Sequence, residues 1–258
     1  MAYCMGIDTG SRTSKGVIIR EGELLAYHIL PSGTNYKRTS EKLYQEILAK
    51  AGLTSGDIAY TVATGHTGSV PFSNEEVTDI RCCARGIRQL LPTVRTVIDI
   101  QSQISQVIRL GENGEISNFV VSEKCAGGSG RFIEVVANIL SLNIEDIGRI
   151  SLKSKKAVVF STSCAVFGES EAISRVAEGT AVEDIVAGVH KAIADKISAL
   201  VSRVGLAEPC AVCGGAALNI GLVKTIGELL SIQLLIPPLP NFVTARGAAA
   251  IAEDKVKT

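Results

Sequence analysis

The sequence predicts a duplicated α/β fold built from two similar halves, and three observations carry that reading. A strand-like run ends in Ile7-Asp8, and the same pair recurs at an offset of 91 as Ile98-Asp99. Beyond it Ser11 matches Ser102, Ser14 matches Ser105, Val17 matches Ile108, and Glu21 matches Glu112 in the following turn. Both copies read as strand, polar turn, strand, glycine-containing hairpin, strand. Each is followed, after helix-like sequence, by a strand that runs into a glycine turn: Tyr60-Thr61-Val62-Ala63-Thr64-Gly65 in one half, Ala211-Val212-Cys213-Gly214-Gly215 in the other. Two such halves with helices between their strands imply a duplication with a cleft between the halves.

Taken in order, the chain enters its first strand at Tyr3 to Asp8. Apolar residues then recur at helical spacing over Arg38 to Ala51, Thr78 to Leu91, Ser129 to Leu140, Ser170 to Ala177, Val182 to Val204 and Leu218 to Leu230. Pro237, Pro238 and Pro240 mark a turn, and the Ala- and Gly-rich stretch Val243 to Glu253 reads as a packed helix after it. Domain one is expected at residues 1–93 plus 243–258, and domain two at 94–242.

Composition narrows the function. Hydrophobic residues make up 46% of the 258, enough for a substantial core. Lys plus Arg and Asp plus Glu number 26 each, so no basic excess points to nucleic acid or an anionic membrane. Aromatics are 4% with no Trp, which argues against a stacking platform for bases. No apolar run approaches the roughly 18 residues of a membrane span. The first strand begins without a signal peptide, and seven cysteines then point to a reducing cytoplasm.

Two loops have the chemistry of phosphate binding. In Asp8-Thr9-Gly10-Ser11-Arg12-Thr13-Ser14-Lys15 a strand delivers Asp8 to a turn where Gly10 permits close backbone approach. Amides and hydroxyls of Ser11, Thr13 and Ser14 suit phosphate oxygens, Lys15 adds charge, and Asp8 suits the water shell of Mg²⁺. An ordinary hairpin turn is the plainer alternative. The second loop, Asp99-Ile100-Gln101-Ser102-Gln103-Ile104-Ser105-Gln106, repeats the acid, with Asp99 and Gln103 as catalytic candidates and Ser102 and Ser105 as phosphate contacts. Side chains at 101 and 102 crowd a backbone approach that glycine would allow. After the strand at 211–213, Gly214 and Gly215 leave room for a base or ribose, and Asn219 either caps the next helix or bonds the nucleotide.

Cys125 and Cys164 each head a stretch that reads as a helix, where the dipole and free N–H groups favour a thiolate. Two thiolates are half of a four-cysteine iron–sulfur site, so such a site would need a second chain. Glycines including Gly128 and Gly130 leave space beside Cys125. Glu169 and Glu171 follow Cys164, as nucleotide contacts or as acids favourable to the helix dipole. Cys210 and Cys213 lie three apart on a strand, so they face opposite sides and belong to the core. The three histidines have no metal spacing.

The segments Lys124-Cys125-Ala126-Gly127-Gly128-Ser129-Gly130-Arg131-Phe132 and Ser163-Cys164-Ala165-Val166-Phe167-Gly168-Glu169-Ser170-Glu171 resemble the two signature segments of ATP-dependent electron activators. That family includes the activators of 2-hydroxyacyl-CoA dehydratases and the ATP-binding subunits of benzoyl-CoA reductase, and the resemblance runs from about Tyr3 to about Ala252. It implies an actin-like (ribonuclease H-like) ATPase fold, shared with sugar kinases and heat-shock chaperones, with nucleotide in the cleft. It implies ATP/ADP, Mg²⁺ met by Asp8 through water, and one 4Fe-4S cluster held by Cys125 and Cys164 from each of two chains. It also implies a dimer, an acyl-CoA dehydratase or reductase as electron acceptor, and ferredoxin or flavodoxin as donor. The family usually carries two glycines at positions 101 and 102, Asp at 104 and Lys at 106. This chain departs at all four. The departure leaves a weakly or non-hydrolysing subunit of a heterodimer as an alternative. A small-molecule kinase of the same superfamily is another, although Ile104 removes the nearest candidate base.

Overall fold

The computed structural model describes residues 2–122, 130–161 and 165–257. It divides into two compact units, residues 1–94, 113–116 and 237–258 in one and 95–112 and 117–236 in the other.

The first unit is a five-stranded sheet with helices on both faces. Its strands are β1 (Tyr3–Thr9), β2 (Thr13–Arg20), β3 (Glu23–Pro31), β4 (Ile58–Gly65) and β5 (Glu75–Glu76), in the order β3-β2-β1-β4-β5. β1 and β2 pair antiparallel, whereas β4 runs parallel to β1. The strands alternate in two-residue period. Met5 and Ile7 pack with Leu43 and Ile47 of α1 (Tyr36–Ala51). Cys4 and Val62 pack with Ala245, Ala248 and Ala249 of α8 (Val243–Lys257). α1 opens on Asn35, whose side chain accepts from the Arg38 N–H, and closes on Gly52 in the left-handed region.

On the second face α8 lies close to α2 (Asp79–Leu90), and glycine makes this approach feasible. A Cβ on Gly247 would collide with the Cys82 carbonyl oxygen and lie 2.7 Å from the Gly86 nitrogen. Both obstacles are backbone, which cannot turn aside.

The second unit repeats the plan. Its strands are β6 (Thr96–Ile100), β7 (Ser105–Leu110), β8 (Ile116–Val121), β9 (Cys210–Cys213) and β10 (Leu234–Leu235), in the order β10-β9-β6-β7-β8. Replacing β1 by β6 and β4 by β9 gives the first sheet again, as the 91-residue repeat predicts. Ile98, Ile100 and Val212 pack with Phe132 and Val136 of α3 (Gly130–Ile139), with Ile193 of α6 (Val182–Val204), and with Leu222 of α7 (Ile220–Leu230).

Two helices differ from expectation. α4 (Ile144–Ser151) is absent from the sequence reading, because at 8 residues it is too short for its period to stand out, and only Ile147 among its large apolar residues is fully buried. α5 (Ala165–Ala177) starts earlier than Ser170, since Val166 and Phe167 in its first turn are exposed and blur the amphipathic pattern. Among the described residues no helix is long and apolar enough to cross a membrane.

Gly247→Ala should destabilise the first unit by about 3 kcal/mol through overpacking against α2. Urea unfolding checks this, and an unchanged midpoint would show that the two helices separate freely.

Candidate nucleotide site

Each unit carries an acid next to the last residue of its central strand, and a glycine turn closes on that strand end. In the first unit Asp8 sits opposite Lys15 in the β1–β2 register, and Lys15 Nζ lies 3.4 Å from Asp8 Oδ2. Lys15 also donates to the Thr13 carbonyl at 3.3 Å. The turn is braced from within. Ser32 donates to the Gly10 carbonyl at 2.6 Å, so the Ser14 hydroxyl, 2.9 Å away, gives its proton to Ser32. Ser14 is fully buried and shapes the loop, whereas Ser11 is exposed and Thr13 half-buried. A Cβ on Gly10 would lie 2.9 Å from the Thr13 carbonyl oxygen, so the tight turn requires its absence.

The end of β4 meets this turn. Gly65 has φ +90°, and a Cβ there would lie 2.5 Å from the Thr9 carbonyl oxygen. Thr9 Oγ1 accepts from the His66 N–H at 2.9 Å and sits 2.7 Å from Ser69 Oγ. A cavity of about 280 Å³ opens beside this strand end, lined by residues 63–67 and 76–79. The sequence reading passed over Thr9, Gly65 and His66 as site elements. The repeat held the signal, because Gly65 ends β4 much as Gly214 follows β9.

The second unit makes the equivalent contact. Gly214 has φ +86°, and a Cβ there would strike the Ile100 carbonyl oxygen and lie 2.5 Å from Asp99 Oδ1. Ile100 is the repeat partner of Thr9, so the same carbonyl receives the glycine in both units. A Cβ on Gly215 would meet nothing within 4 Å. A backbone cradle beside a buried acid, with open space over the next glycine, fits a flat nucleoside and its phosphates.

Asp99 is 1% exposed, and its Oδ2 accepts from Gln101 Nε2 and from Gln106 Nε2, each at 2.8 Å. The Gln101 side chain therefore turns back onto the acid. The Gln101 carbonyl accepts from the Gly130 N–H at 2.9 Å, and the Ser102 carbonyl from the Arg131 N–H at 3.0 Å. The second loop thus holds the first two N–H groups of α3. Ser105 is buried and Gln103 exposed.

Asn219 caps α7: its Oδ1 accepts from the Leu222 N–H at 3.0 Å, and its Nδ2 lies 3.0 Å from His190 Nε2. Since the amide nitrogen can only donate, His190 accepts through Nε2 and carries its proton on Nδ1. Burial holds the His190 pKa at about 4, well below its usual value. Glu171 accepts from the Ser161 hydroxyl at 2.7 Å and lies 3.5 Å from Arg175. Partial burial opposes its charge, but these donors outweigh that and its pKa falls. Glu169 is exposed.

Cys125, Gly128 and Cys164 lie outside the described residues. The helices that follow them are described, and their first turns abut. A Cβ on Gly168 of α5 would lie 2.6 Å from the Phe132 ring of α3. The remaining five cysteines are buried, and Cys210 is pushed up to about 12 by burial, as suits an inert core thiol.

A match to the BadF/BadG/BcrA/BcrD ATPase family spans residues 5–252. The chain belongs to that family. It is 39% identical to a 2-hydroxyisocaproyl-CoA dehydratase activator of Clostridioides difficile, over 99% of this chain and 96% of that protein. It is 37% identical to an (R)-2-hydroxyglutaryl-CoA dehydratase activating ATPase of Acidaminococcus fermentans, over 98% of each. The solved structure of the activator of the 2-hydroxyisocaproyl-CoA dehydratase from Clostridium difficile with bound ADPNP superposes with a TM-score of 0.95 at 36% identity, over 99% of this chain and 96% of that one. The fold of this ATPase is therefore the actin-like one that the sequence predicted.

Gly214→Ala should weaken ATP binding at least tenfold, because the new methyl displaces the Asp99 carboxylate and strains the turn. A fluorescent-nucleotide titration reads this, and unchanged affinity would remove the turn from the site. His190 generates a pH effect. Between about pH 6.5 and 4 the unfolded chain takes up a proton that the folded one refuses, so stability falls as pH falls through that window. The loss reaches about 3 kcal/mol. In His190→Gln this component should vanish from urea midpoints compared at pH 7 and pH 4.5.

Proposed function

We propose that this chain is an ATP-dependent electron-transfer protein. A 4Fe-4S cluster bridging two chains delivers a low-potential electron, driven by ATP hydrolysis, to a 2-hydroxyacyl-CoA dehydratase or benzoyl-CoA-type reductase. Ferredoxin or flavodoxin is the donor. Cys125 and Cys164 of each chain hold the cluster, which supplies one-electron redox chemistry when bound.

The observation that carries this reading is the tie between the second phosphate loop and α3. Gln101 and Ser102 accept the first two N–H groups of the helix that the Cys125 segment enters. Any rearrangement of the loop by nucleotide therefore pulls on that helix. α3 in turn packs through Phe132 on Gly168 of α5, the helix after Cys164. Nucleotide can drive such a change only by binding one arrangement more tightly than the other. In this reading Asp8 orients the Mg²⁺ water shell, Lys15 and the turn at 10–14 meet phosphate oxygens, Asp99 and Gln103 serve hydrolysis, and Gly214 and Gly215 receive the adenosine. Val166, Phe167 and Ile173 leave an apolar stripe exposed on α5, which supports a second chain covering it.

One observation favours a variant of this reading. The amides on Asp99 suit a weakly hydrolysing subunit paired with a related chain.

Anaerobically purified protein should carry one cubane per two chains, by iron, acid-labile sulfide and native mass, and Cys164→Ser should lose it. Asp8→Ala should keep its iron yet lose ATP-driven reduction of a dehydratase partner. Retained ATP-driven reduction would sink the assignment of the first loop, and an iron-free dimer would remove the cluster.

A further inference from the structure

We propose that Gln101 is a latch on the second phosphate loop, a positioning residue whose side-chain amide must leave Asp99 before Mg²⁺–nucleotide engages that carboxylate. The inference rests on the nucleotide-binding reading above and names how this chain regulates that site.

Asp99 offers two oxygens, and both are enclosed, the residue being 1% exposed. Oδ1 lies against the Gly214 turn, where even a methyl group would not fit. Oδ2 receives two amide N–H groups at 2.8 Å, one from Gln106 and one from Gln101. A carboxylate oxygen with two donors has little acceptor capacity left for the waters that Mg²⁺ retains. One donor has to yield.

The two donors differ in their freedom to do so. Gln106 lies on β7 directly across from Asp99, is 0% exposed, and its side chain has no room to swing. Gln101 is half-buried at the mouth of the loop. Its backbone is pinned, since its N–H donates to the Ile104 carbonyl at 3.0 Å and its carbonyl accepts from Gly130. Its side chain can therefore rotate away without unfolding the turn or releasing α3. Gln101 is the partner that yields, and the loop stays closed on its own acid until a stronger ligand competes.

The test compares wild type with Gln101→Ala and Gln101→Met, the second keeping side-chain bulk while losing the amide. Binding of a fluorescent ATP analogue is titrated with Mg²⁺, and ATP turnover is followed in parallel. The latch predicts that both variants reach half-saturation at about ten- to a hundredfold less Mg²⁺ and turn over ATP faster, as expected for removing one hydrogen bond to a charged group. A Gln101→Met protein that needs as much Mg²⁺ as wild type, or a Gln101→Ala protein that needs more, would overturn it. The analogue is also titrated without Mg²⁺. Absence of binding by wild type under every condition would instead remove the nucleotide reading itself.

Discussion

Each half of this molecule depends on one close approach: a left-handed glycine laid on the carbonyl just past the acid of the neighbouring parallel strand. Gly65 meets Thr9 and Gly214 meets Ile100, and no side chain fits at either contact. The approach brings two strand ends together, and in the second unit it sets the glycine turn against Asp99 itself. The candidate phosphate turns, the serines that brace the first of them and the start of α3 are all placed relative to that junction.

Because the acid lies next to the last residue of its strand, the same residue belongs to the rigid sheet on one side and to a pliable loop on the other. Asp8 inherits its position from a strand that is buried on both faces. Asp99 inherits its position from β6, every residue of which is buried. In the second unit the loop turns inward: Gln101 and Gln106 satisfy the acid, while the loop carbonyls satisfy a helix N-terminus that would otherwise leave N–H groups unpaired. One short segment thus connects the buried acid to the N-terminus of α3.

The duplication, the strand ends and the glycine turns were legible in the sequence because they are local. An Ile-Asp pair, a polar turn and a glycine at a fixed distance recur with their spacing intact. α6 was legible to the residue, since its apolar face is continuous and buried along its length. α4 and the start of α5 were not, because α4 is only 8 residues long and the first turn of α5 exposes its apolar residues.

By itself the sequence determined the two α/β halves, the acids at their strand ends and the family. Only the tertiary structure decided where the polar side chains point. From the sequence, Gln101 was a bulky residue in a phosphate loop, Ser14 a phosphate contact, and Asn219 either a cap or a nucleotide ligand. In the fold, Gln101 turns onto Asp99, Ser14 braces Gly10 through Ser32, and Asn219 caps α7 while holding a buried histidine. The physical reason is that a hydrogen bond is directional and its partner here comes from another strand or helix. Residue type and spacing specify the donors and acceptors, and the packed backbone selects among them.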